Sequence, residues 1–413
     1  SPAVDRTDPA LPFAGMKVVD LGTFWAGPYV SMYLGAFGAD VVKVESIQRP
    51  DGFRFSGAFP QEGDDWYDRG GVWQGTNLDK RSVTLDATRD DGLRLLRQLI
   101  AQADVVIENF SARVVEQFGL DYAAIRSLKR DVLMLRMPGF GLEGPWRDYV
   151  GWAMGIEQAS GMAQVTGYPQ KPMHPGGFAD PMIAMHAAAA LQAALEHRDR
   201  TGEGQMIEVA QLETACCLTA DQPMDFQLNG RIGSRSANHD PRMVPQGVYR
   251  CADDDWVALS VRNDGDWRNL LEALDRPLWA TDDFATAAGR AAEADALDGL
   301  VGGWFAERPA REAVARLREV GLPAGRMLRA PDMYDDPQLL AREYYVALDN
   351  PTTGVRRYPA WPVRFSFARQ AHRFGPPTLG QHNAEILTEL GVTAAEQARL
   401  AEDGIVGTRM LAP

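Results

Sequence analysis

Apolar runs and amphipathic segments alternate along the first third of the chain. Four runs rich in valine, isoleucine, leucine or methionine have the length and composition of strands, and they cover residues 16–20, 40–44, 104–108 and 131–136. The segments between them predict helices over residues 29–37, 90–102 and 122–128. Alternation at this spacing indicates right-handed βαβ units. The chain is therefore predicted to be an α/β protein with a parallel sheet.

The pattern changes after a short apolar strand at residues 206–210. A polar, glycine-containing loop follows, and residues 247–251 and 256–261 then predict a β-hairpin. Helical patterns return over residues 264–275, 290–306 and 309–320. The remaining chain holds proline-rich extended segments and a predicted helix near 383–391. We therefore predict three parts, a large first domain, a smaller α/β domain and a final segment, over residues 1–224, 225–330 and 331–413.

An acidic residue, Asp180, stands between a glycine pair and a long alanine-rich run. Aspartate followed by proline is typical of a helix start, with Asp180 as the N-cap and Pro181 as the first helical residue. The local pattern alone favours this structural interpretation. The glycine pair, Gly176 and Gly177, favours a second interpretation, in which Asp180 lies at a site that another group approaches. Residues without a Cβ allow such a close approach to the backbone.

Residues 139–144 match the glycine spacing of a dinucleotide-binding loop. That fingerprint requires the turn after the first strand and a helix that begins at the glycines. Here the segment follows a late strand and runs into Pro145. A nicotinamide cofactor is therefore not predicted.

Charge and composition narrow the functional classes. The 413 residues carry a formal net charge of −14, which argues against nucleic acid or a membrane surface as a partner. The three cysteines show neither a disulfide framework nor a metal spacing, and the six histidines are scattered. No apolar run reaches the roughly 20 residues that a membrane span needs. These features predict a cytoplasmic protein without a metal centre.

Several motifs follow one another along most of the chain. They are the Asp180 segment and residues 15–28, 34–45, 77–86, 103–110, 139–145, 201–205 and 377–387. In their order and spacing, these motifs resemble those of the class III CoA-transferases. The resemblance implies a large Rossmann-like domain that the tail of the chain rejoins, with the smaller domain as an insertion. It also implies an interlocked dimer of two threaded chains.

The same resemblance implies a reaction and a set of site residues. Asp180 is implied to be a nucleophile that forms an anhydride and then an aspartyl-CoA thioester, with CoA as thioester substrate and no permanently bound cofactor. The residues implied to lie near CoA are Ser46, Arg81, Asn109, Gly139 and Phe140. Ser46 stands where relatives can have arginine, and for Arg81 and Asn109 a surface charge and a turn cap are equal alternatives.

Two tryptophans depart from patterns in the family. Trp25 replaces a glutamine of formyl-CoA transferase, so it is expected to line the acyl pocket and favour an apolar acid over oxalate; core packing is the alternative. Trp152, the second expected pocket residue, stands where racemases of the family have a histidine. An indole N–H does not exchange protons with a carbon acid at neutral pH.

An acyl-CoA:carboxylate CoA-transferase is therefore the leading hypothesis, with an acyl-CoA donor and a carboxylic acid acceptor as partners. One alternative is an acyl-CoA racemase or isomerase, against which the missing histidine weighs. Another is a non-catalytic subunit of a hetero-oligomeric transferase, against which the retention of Asp180 weighs. The dimer implied by the family is expected to be a homodimer, with a heteromer left open.

Overall fold

The computed structural model of the protein describes residues 11–57, 62–240, 242–366 and 372–411. The chain divides into two compact units. The first comprises Ser1–Ala163, His174–Ile232 and Leu340–Pro413, and the second comprises Gln164–Met173 and Gly233–Leu339.

The described strands are β1 (Lys17–Asp20), β2 (Asp40–Glu45), β3 (Lys80–Thr84), β4 (Val105–Glu108), β5 (Leu133–Arg136), β6 (Gly167–Tyr168), β7 (Lys171–Pro172), β8 (Met206–Glu208), β9 (Gln246–Arg250), β10 (Trp256–Ser260), β11 (Ala324–Arg326), β12 (Tyr345–Leu348) and β13 (Arg356–Pro359). The first eight α-helices are α1 (Ala26–Ala36), α2 (Gly71–Thr76), α3 (Asp90–Gln102), α4 (Ala112–Gln117), α5 (Tyr122–Leu128), α6 (Ala153–Ala159), α7 (Met162–Val165) and α8 (Ala179–Thr201). The others are α9 (Gln211–Leu218), α10 (Asp221–Asn229), α11 (Asp264–Ala273), α12 (Ala287–Ala292), α13 (Ala294–Ala306), α14 (Ala310–Glu319), α15 (Ala330–Met333), α16 (Pro337–Ala341), α17 (Asn383–Glu389) and α18 (Ala394–Glu402). Short 3₁₀-helices cover Gly52–Phe55, Trp66–Arg69 and Asp282–Phe284.

Among the described residues, the first unit is built on one sheet of six strands in the order β3-β2-β1-β4-β5-β8. Neighbouring strands are parallel throughout, with Val18 opposite Val41 on one side and Val105 on the other. The strand order reverses between β1 and β4. In open α/β sheets, ligands bind at this switch point, beyond the carboxyl ends of the strands. The predicted α/β class with a parallel sheet is confirmed.

Two apolar layers cover the faces of this sheet. One contains Val18, Val105 and Leu135 with helices α1, α8 and α9. The other contains Val19 and Val106 with helices α3 and α5 and the C-terminal helices α17 and α18. Because successive strand residues point to opposite faces, the central strands, which are covered on both sides, carry apolar residues at successive positions, as in Val105–Glu108 and Leu133–Arg136. The sequence therefore shows short continuous apolar runs rather than alternation.

The end of the chain covers the free edge of β3. The backbone N–H groups of Ser82 and Thr84 donate to His382 Nδ1 at 3.0 Å and to Asn383 Oδ1 at 2.9 Å. Farther along, the N–H of Asp86 donates to the carbonyl of Ile405 at 2.9 Å. All five residues of β3 are consequently buried although β3 is an edge strand. We call residues 380–407 the edge segment.

The second unit has its own core around the antiparallel sheet β11-β10-β9. Strands β9 and β10 form the predicted hairpin. Helices α11, α13 and α14 contribute Trp267, Phe305 and Leu317 to the core. None of the described helices in either unit combines the length and apolar content that crossing a lipid bilayer requires.

One predicted helix of the second unit is wrong in its extent. The helix expected over residues 290–306 is divided into α12 and α13, which meet at Glu293 with a φ of −122°. The buried Arg290 donates to the carbonyl of Val244 at 2.7 Å and to Asp264 at 2.9 Å. These tertiary contacts hold α12 in a position of its own, so that it does not continue into α13. Helical periodicity alone therefore did not reveal the break between the two helices.

Candidate active site

The turns after β1 and β4 are joined at the switch point of the sheet. The Asn109 side chain accepts a hydrogen bond from the Thr23 N–H at 2.7 Å and donates to the Thr23 carbonyl at 2.8 Å. A Cβ at Gly27 would lie 3.4 Å from the Asn109 side chain, so the start of α1 packs closely on this contact. Asn109 therefore has a structural task, and its contact with CoA stays a prediction.

Buried charges hold the same turn. Lys43 Nζ lies 2.9 Å from the Asp51 carboxylate, and both side chains are fully buried. Lys43 also donates to the carbonyl of Gly22, and Asp51 accepts from the N–H of Phe24 at 3.0 Å. Phe24 has a φ of 61°, which is unfavourable for a residue with a bulky side chain. The ion pair thus stabilises a strained turn directly before α1.

An aromatic cluster lies beside this turn. Phe24 packs edge-on against Phe53 and Trp152, with ring centroids 5.6 and 4.7 Å apart, and Trp25 packs on Phe53 at 5.8 Å. A Cβ at Gly177 would lie 3.5 Å from Cζ3 of Trp25. The Trp25 Nε1 atom is buried, and no described residue accepts its hydrogen bond. The indole therefore contacts the glycine turn while its donor stays available.

Asp180 lies in the first turn of the 23-residue helix α8. The N-cap is Phe178, and no side chain caps the helix, so the prediction that Asp180 is the N-cap is wrong. Gly176 and Gly177 have φ values of 86° and 93°. These left-handed residues turn the chain so that the helix begins before Asp180 is reached. The Asp180 carboxyl consequently does not cap the helix by accepting a hydrogen bond from a backbone N–H of its first turn.

The environment of the Asp180 carboxyl disfavours its charged form. The residue is 9% exposed, and among the described residues no donor or cation pairs with its carboxyl. Burial raises the pKa of Asp180 from its ordinary 3.8 to about 7, and the negative charge of Glu157 adds to the increase. A buried carboxyl that titrates near neutral pH is typical of a reactive group.

Glu157 is the site residue that the sequence interpretation missed. It is fully buried on α6 and accepts hydrogen bonds from the backbone N–H groups of Gly177 at 2.9 Å and Gly176 at 3.2 Å. Glutamates in helices are mostly exposed, and the turn that Glu157 binds begins 19 residues later in the chain. No local pattern distinguishes it.

The residues predicted to contact CoA do not all lie together. Ser46 follows the carboxyl end of β2, where its hydroxyl accepts from the Arg49 N–H at 3.0 Å. The Arg81 side chain pairs with Asp40 at the amino end of β2 and with two glutamates of α17, at 2.5, 2.9 and 2.7 Å. The two ends of this strand are roughly 20 Å apart. Because three carboxylates pair with the Arg81 guanidinium, its charge is already neutralised within the protein.

Gly139 and Phe140 follow the carboxyl end of β5, on the edge of the sheet that carries the other turns. A Cβ at Gly139 would lie 2.9 Å from the Cα of Gly151, so the two backbones are in direct contact. Phe140 packs edge-on against Trp146 and Tyr149 at 5.8 and 6.0 Å. The next helix is α6, which begins well after the glycines, unlike the helix of a dinucleotide-binding loop.

Within the described part of the chain, no three histidine, cysteine, aspartate or glutamate side chains are grouped so that they could hold a metal ion. The functional groups that this part of the chain offers are the buried Asp180 and Glu157 carboxyls, backbone N–H groups, and indole and phenyl rings.

The chain is similar to known proteins over most of its length. The model of CoA-transferase family III matches residues 13–383. Succinyl-CoA–D-citramalate CoA-transferase of Chloroflexus aurantiacus is 31% identical over 96% of this chain and 99% of its own. Succinate–glutarate CoA-transferase of Agrobacterium fabrum is 32% identical over 92% and 96%. The crystal structure of a CAIB/BAIF family protein from Brucella suis superposes with a TM-score of 0.83 at 31% identity, over 92% of this chain and 99% of that one.

Proposed function

Because this chain belongs to CoA-transferase family III, we propose that it transfers CoA from an acyl-CoA to a carboxylic acid through covalent intermediates on Asp180. The observation that supports this most is the buried carboxyl at the start of α8, whose pKa is raised to about 7. A carboxylate removed from water attacks a thioester more readily than a solvated one. Above its pKa, Asp180 is ionised and can attack.

The reaction proceeds in two symmetric halves. Asp180 attacks the thioester carbonyl, the C–S bond breaks, and CoA leaves as the thiolate while an acyl-aspartyl anhydride forms. The thiolate then attacks the aspartyl carbonyl, which releases the first acid and leaves an aspartyl-CoA thioester. A second carboxylate attacks that thioester and forms a new anhydride with release of the thiolate. Attack of the thiolate on the new acyl carbonyl gives the second acyl-CoA and restores the Asp180 carboxylate.

The CoA moiety is proposed to lie at the switch point of the sheet. Ser46, Asn109 and the Gly139–Phe140 turn follow strands β2, β4 and β5 at their carboxyl ends, where open α/β sheets bind ligands. The 11-residue helix α1 begins at the same edge, directly after Trp25. Because Trp25 also contacts the turn before Asp180, this end of α1 is proposed to lie beside the thioester end of CoA.

The aromatic cluster is proposed to form one wall of the acyl site. Trp25 contacts the turn that precedes Asp180 and keeps a buried N–H donor, while Phe24, Phe53 and Trp152 extend the apolar surface. Rings of this kind favour acids with an apolar body, and the indole N–H can donate to one substrate oxygen.

In an exchange assay with labelled acids, an apolar acid should therefore outcompete oxalate; preference for oxalate would contradict this assignment.

Trapping with hydroxylamine tests the proposed reaction. When the protein is incubated with a working acyl-CoA, hydroxylamine should convert Asp180 to its hydroxamate, because anhydride and thioester are both acyl donors. Peptide mass spectrometry would locate the adduct. The α-carbon of a 2-methylacyl-CoA should meanwhile gain no deuterium from D₂O. Rapid α-exchange without acyl transfer would replace the transferase by a racemase, in spite of Trp152.

A homodimer is proposed from the family and from an exposed apolar surface. Helix α10 has no buried residue, and its Met224, Phe226 and Leu228 are 50, 55 and 74% exposed. Large apolar side chains exposed on more than one side of a helix mark it as a segment that a partner covers. Sedimentation should show a species of about twice 45.4 kDa that does not dissociate on dilution. A stable monomer at micromolar concentration would contradict the interlocked dimer.

A further inference from the structure

The Glu157 carboxylate accepts hydrogen bonds from three backbone N–H groups of the segment that leads to Asp180. It accepts from the N–H groups of Gly177 at 2.9 Å, Gly176 at 3.2 Å and Ala179 at 3.5 Å. The Glu157 side chain is fully buried. A concave set of backbone N–H groups around an anion is a stable arrangement when the donors converge as they do here.

No lysine or arginine among the described residues forms an ion pair with Glu157. The nearest ionisable partner is His174, whose Nδ1 lies 3.9 Å away and whose side chain is 48% exposed. Burying a carboxylate without a charged partner is costly, and the three N–H groups offset only part of that cost. Both carboxylate oxygens accept from these N–H groups, so glutamine, which has a single acceptor oxygen, could not replace all three contacts.

The glycine turn needs an external support. Gly176 and Gly177 both have positive φ, and no side chain of their own fixes their conformation. A Cβ at Gly176 would meet nothing within 4 Å, so packing does not hold this residue. The hydrogen bonds to Glu157, together with the packing of Trp25 and Ala153 near Gly177, therefore fix the direction in which the chain enters α8.

We propose that Glu157 is a positioning residue for CoA transfer, which fixes the Gly176–Gly177 turn and thereby the reactive carboxyl of Asp180. This inference rests on the proposed function, because it needs Asp180 to be the nucleophile. The Glu157 charge has a second effect, since it adds to burial in raising the pKa of Asp180. A more basic carboxylate is a stronger nucleophile toward a thioester.

Within the first unit, Glu157 is the charged residue that changes the pKa of Asp180. Helix α8 is packed against α1, α6 and α9 and against strands β5 and β8. The ionisable side chains on these elements are Tyr29 and Tyr33 of α1, Glu157 of α6, Glu213, Cys216 and Cys217 of α9, Arg136 of β5 and Glu208 of β8. Arg136 is paired with Glu108 at 2.6 Å, and of all these groups Glu157 is the one that shifts the pKa of Asp180.

Two substitutions separate the positioning effect from the charge effect. Glu157→Gln keeps the length of the side chain but removes its charge and turns an amide N–H₂ toward the glycine N–H groups. The acidic limb of the kcat/KM profile should move to lower pH by about half a unit or more, and kcat should fall roughly 10-fold. Glu157→Asp keeps the charge but shortens the reach, so kcat should fall while the acidic limb stays in place. KM for the acyl-CoA should change less than about twofold in both variants.

The matched control is Glu196→Gln, which makes the same charge change at the far end of α8, where the side chain is 69% exposed. It should leave both kcat and the pH profile unaltered. Asp180→Asn is measured in parallel: if it retains activity, the proposed function fails. If Asp180→Asn is inactive while Glu157→Gln and Glu157→Asp keep wild-type kcat and pH profiles, the positioning role alone is overturned. Loss of folding in both Glu157 variants, judged by circular dichroism, would make the residue structural and also overturn it.

Discussion

Replacing Asp180 with asparagine is expected to abolish CoA transfer and, at the same time, to stabilise the folded protein above pH 7. Loss of a covalent nucleophile lowers turnover by several orders of magnitude, and Asp180→Ala should do the same. A residue that only ends a helix would give a different result, with a loss of about 1 kcal/mol and nearly normal activity.

The stabilisation follows from the raised pKa. Between about pH 4 and pH 7, the folded protein keeps a proton on Asp180 that the unfolded chain releases, since the pKa is 3.8 in an ordinary environment and about 7 here. The free energy of unfolding therefore falls as the pH rises through this range. At about 1.4 kcal/mol for each pKa unit, ionised Asp180 destabilises the fold by about 4 kcal/mol above pH 7. Asparagine removes this penalty because it stays neutral.

Denaturant unfolding at pH 5 and pH 8.5, together with the exchange assay, measures both effects. Asp199→Asn is the matched control, since Asp199 lies on the same helix with a side chain that is 69% exposed; it should alter stability by less than about 0.5 kcal/mol. Residual activity of Asp180→Asn within tenfold of wild type would remove Asp180 as the nucleophile. Equal destabilisation at both pH values would contradict the raised pKa.

Replacing Arg54 with methionine is expected to destabilise the first unit by about 3–5 kcal/mol. Arg54 is fully buried and binds Glu45 through two hydrogen bonds of 2.8 and 2.6 Å. It also pairs with the buried Asp68 and lies 3.6 Å from the ring centroid of Trp73. Removing the guanidinium leaves two carboxylates buried without a cation, which is far less favourable than the loss of a surface ion pair.

The midpoint of urea unfolding, compared at equal slope, measures this loss. Arg69→Ala is the control from the same segment, because its pair with Asp65 is exposed at 39 and 54%; it should shift stability by less than about 1 kcal/mol. The triple replacement of Arg54, Glu45 and Asp68 by apolar residues should recover much of the stability. A wild-type midpoint for Arg54→Met would show that the buried charges do not depend on one another.

The sequence predicted the parallel sheet because that signal is local. The central strands, covered on both faces, show short continuous apolar runs. Helix α3 has the bounds expected from its pattern, Asp90–Gln102. Helix α18 was not predicted, since its apolar stripe becomes clear only when Leu400 is seen to pack in the core of the sheet.

The candidate site was less accessible to sequence reasoning. Asp180 emerged from a family resemblance, while the local pattern favoured a helix cap that does not form. Glu157 had no local signal, because its partners Gly176 and Gly177 are brought to it by tertiary structure. The two left-handed glycines were visible as a pair, but their φ values and the direction in which they turn the chain are set by that same contact.

The edge segment has a consequence for the order in which the protein is made. Strand β3 lies early in the sequence. Its open side is covered by residues that follow much later in the sequence, namely His382, Asn383 and Ile405. During translation, the sheet therefore presents an unpaired strand edge until residues 382–405 have also left the ribosome. An open edge can pair with strands of other chains. Nascent or prematurely terminated chains are thus the forms of this protein that most need protection by chaperones.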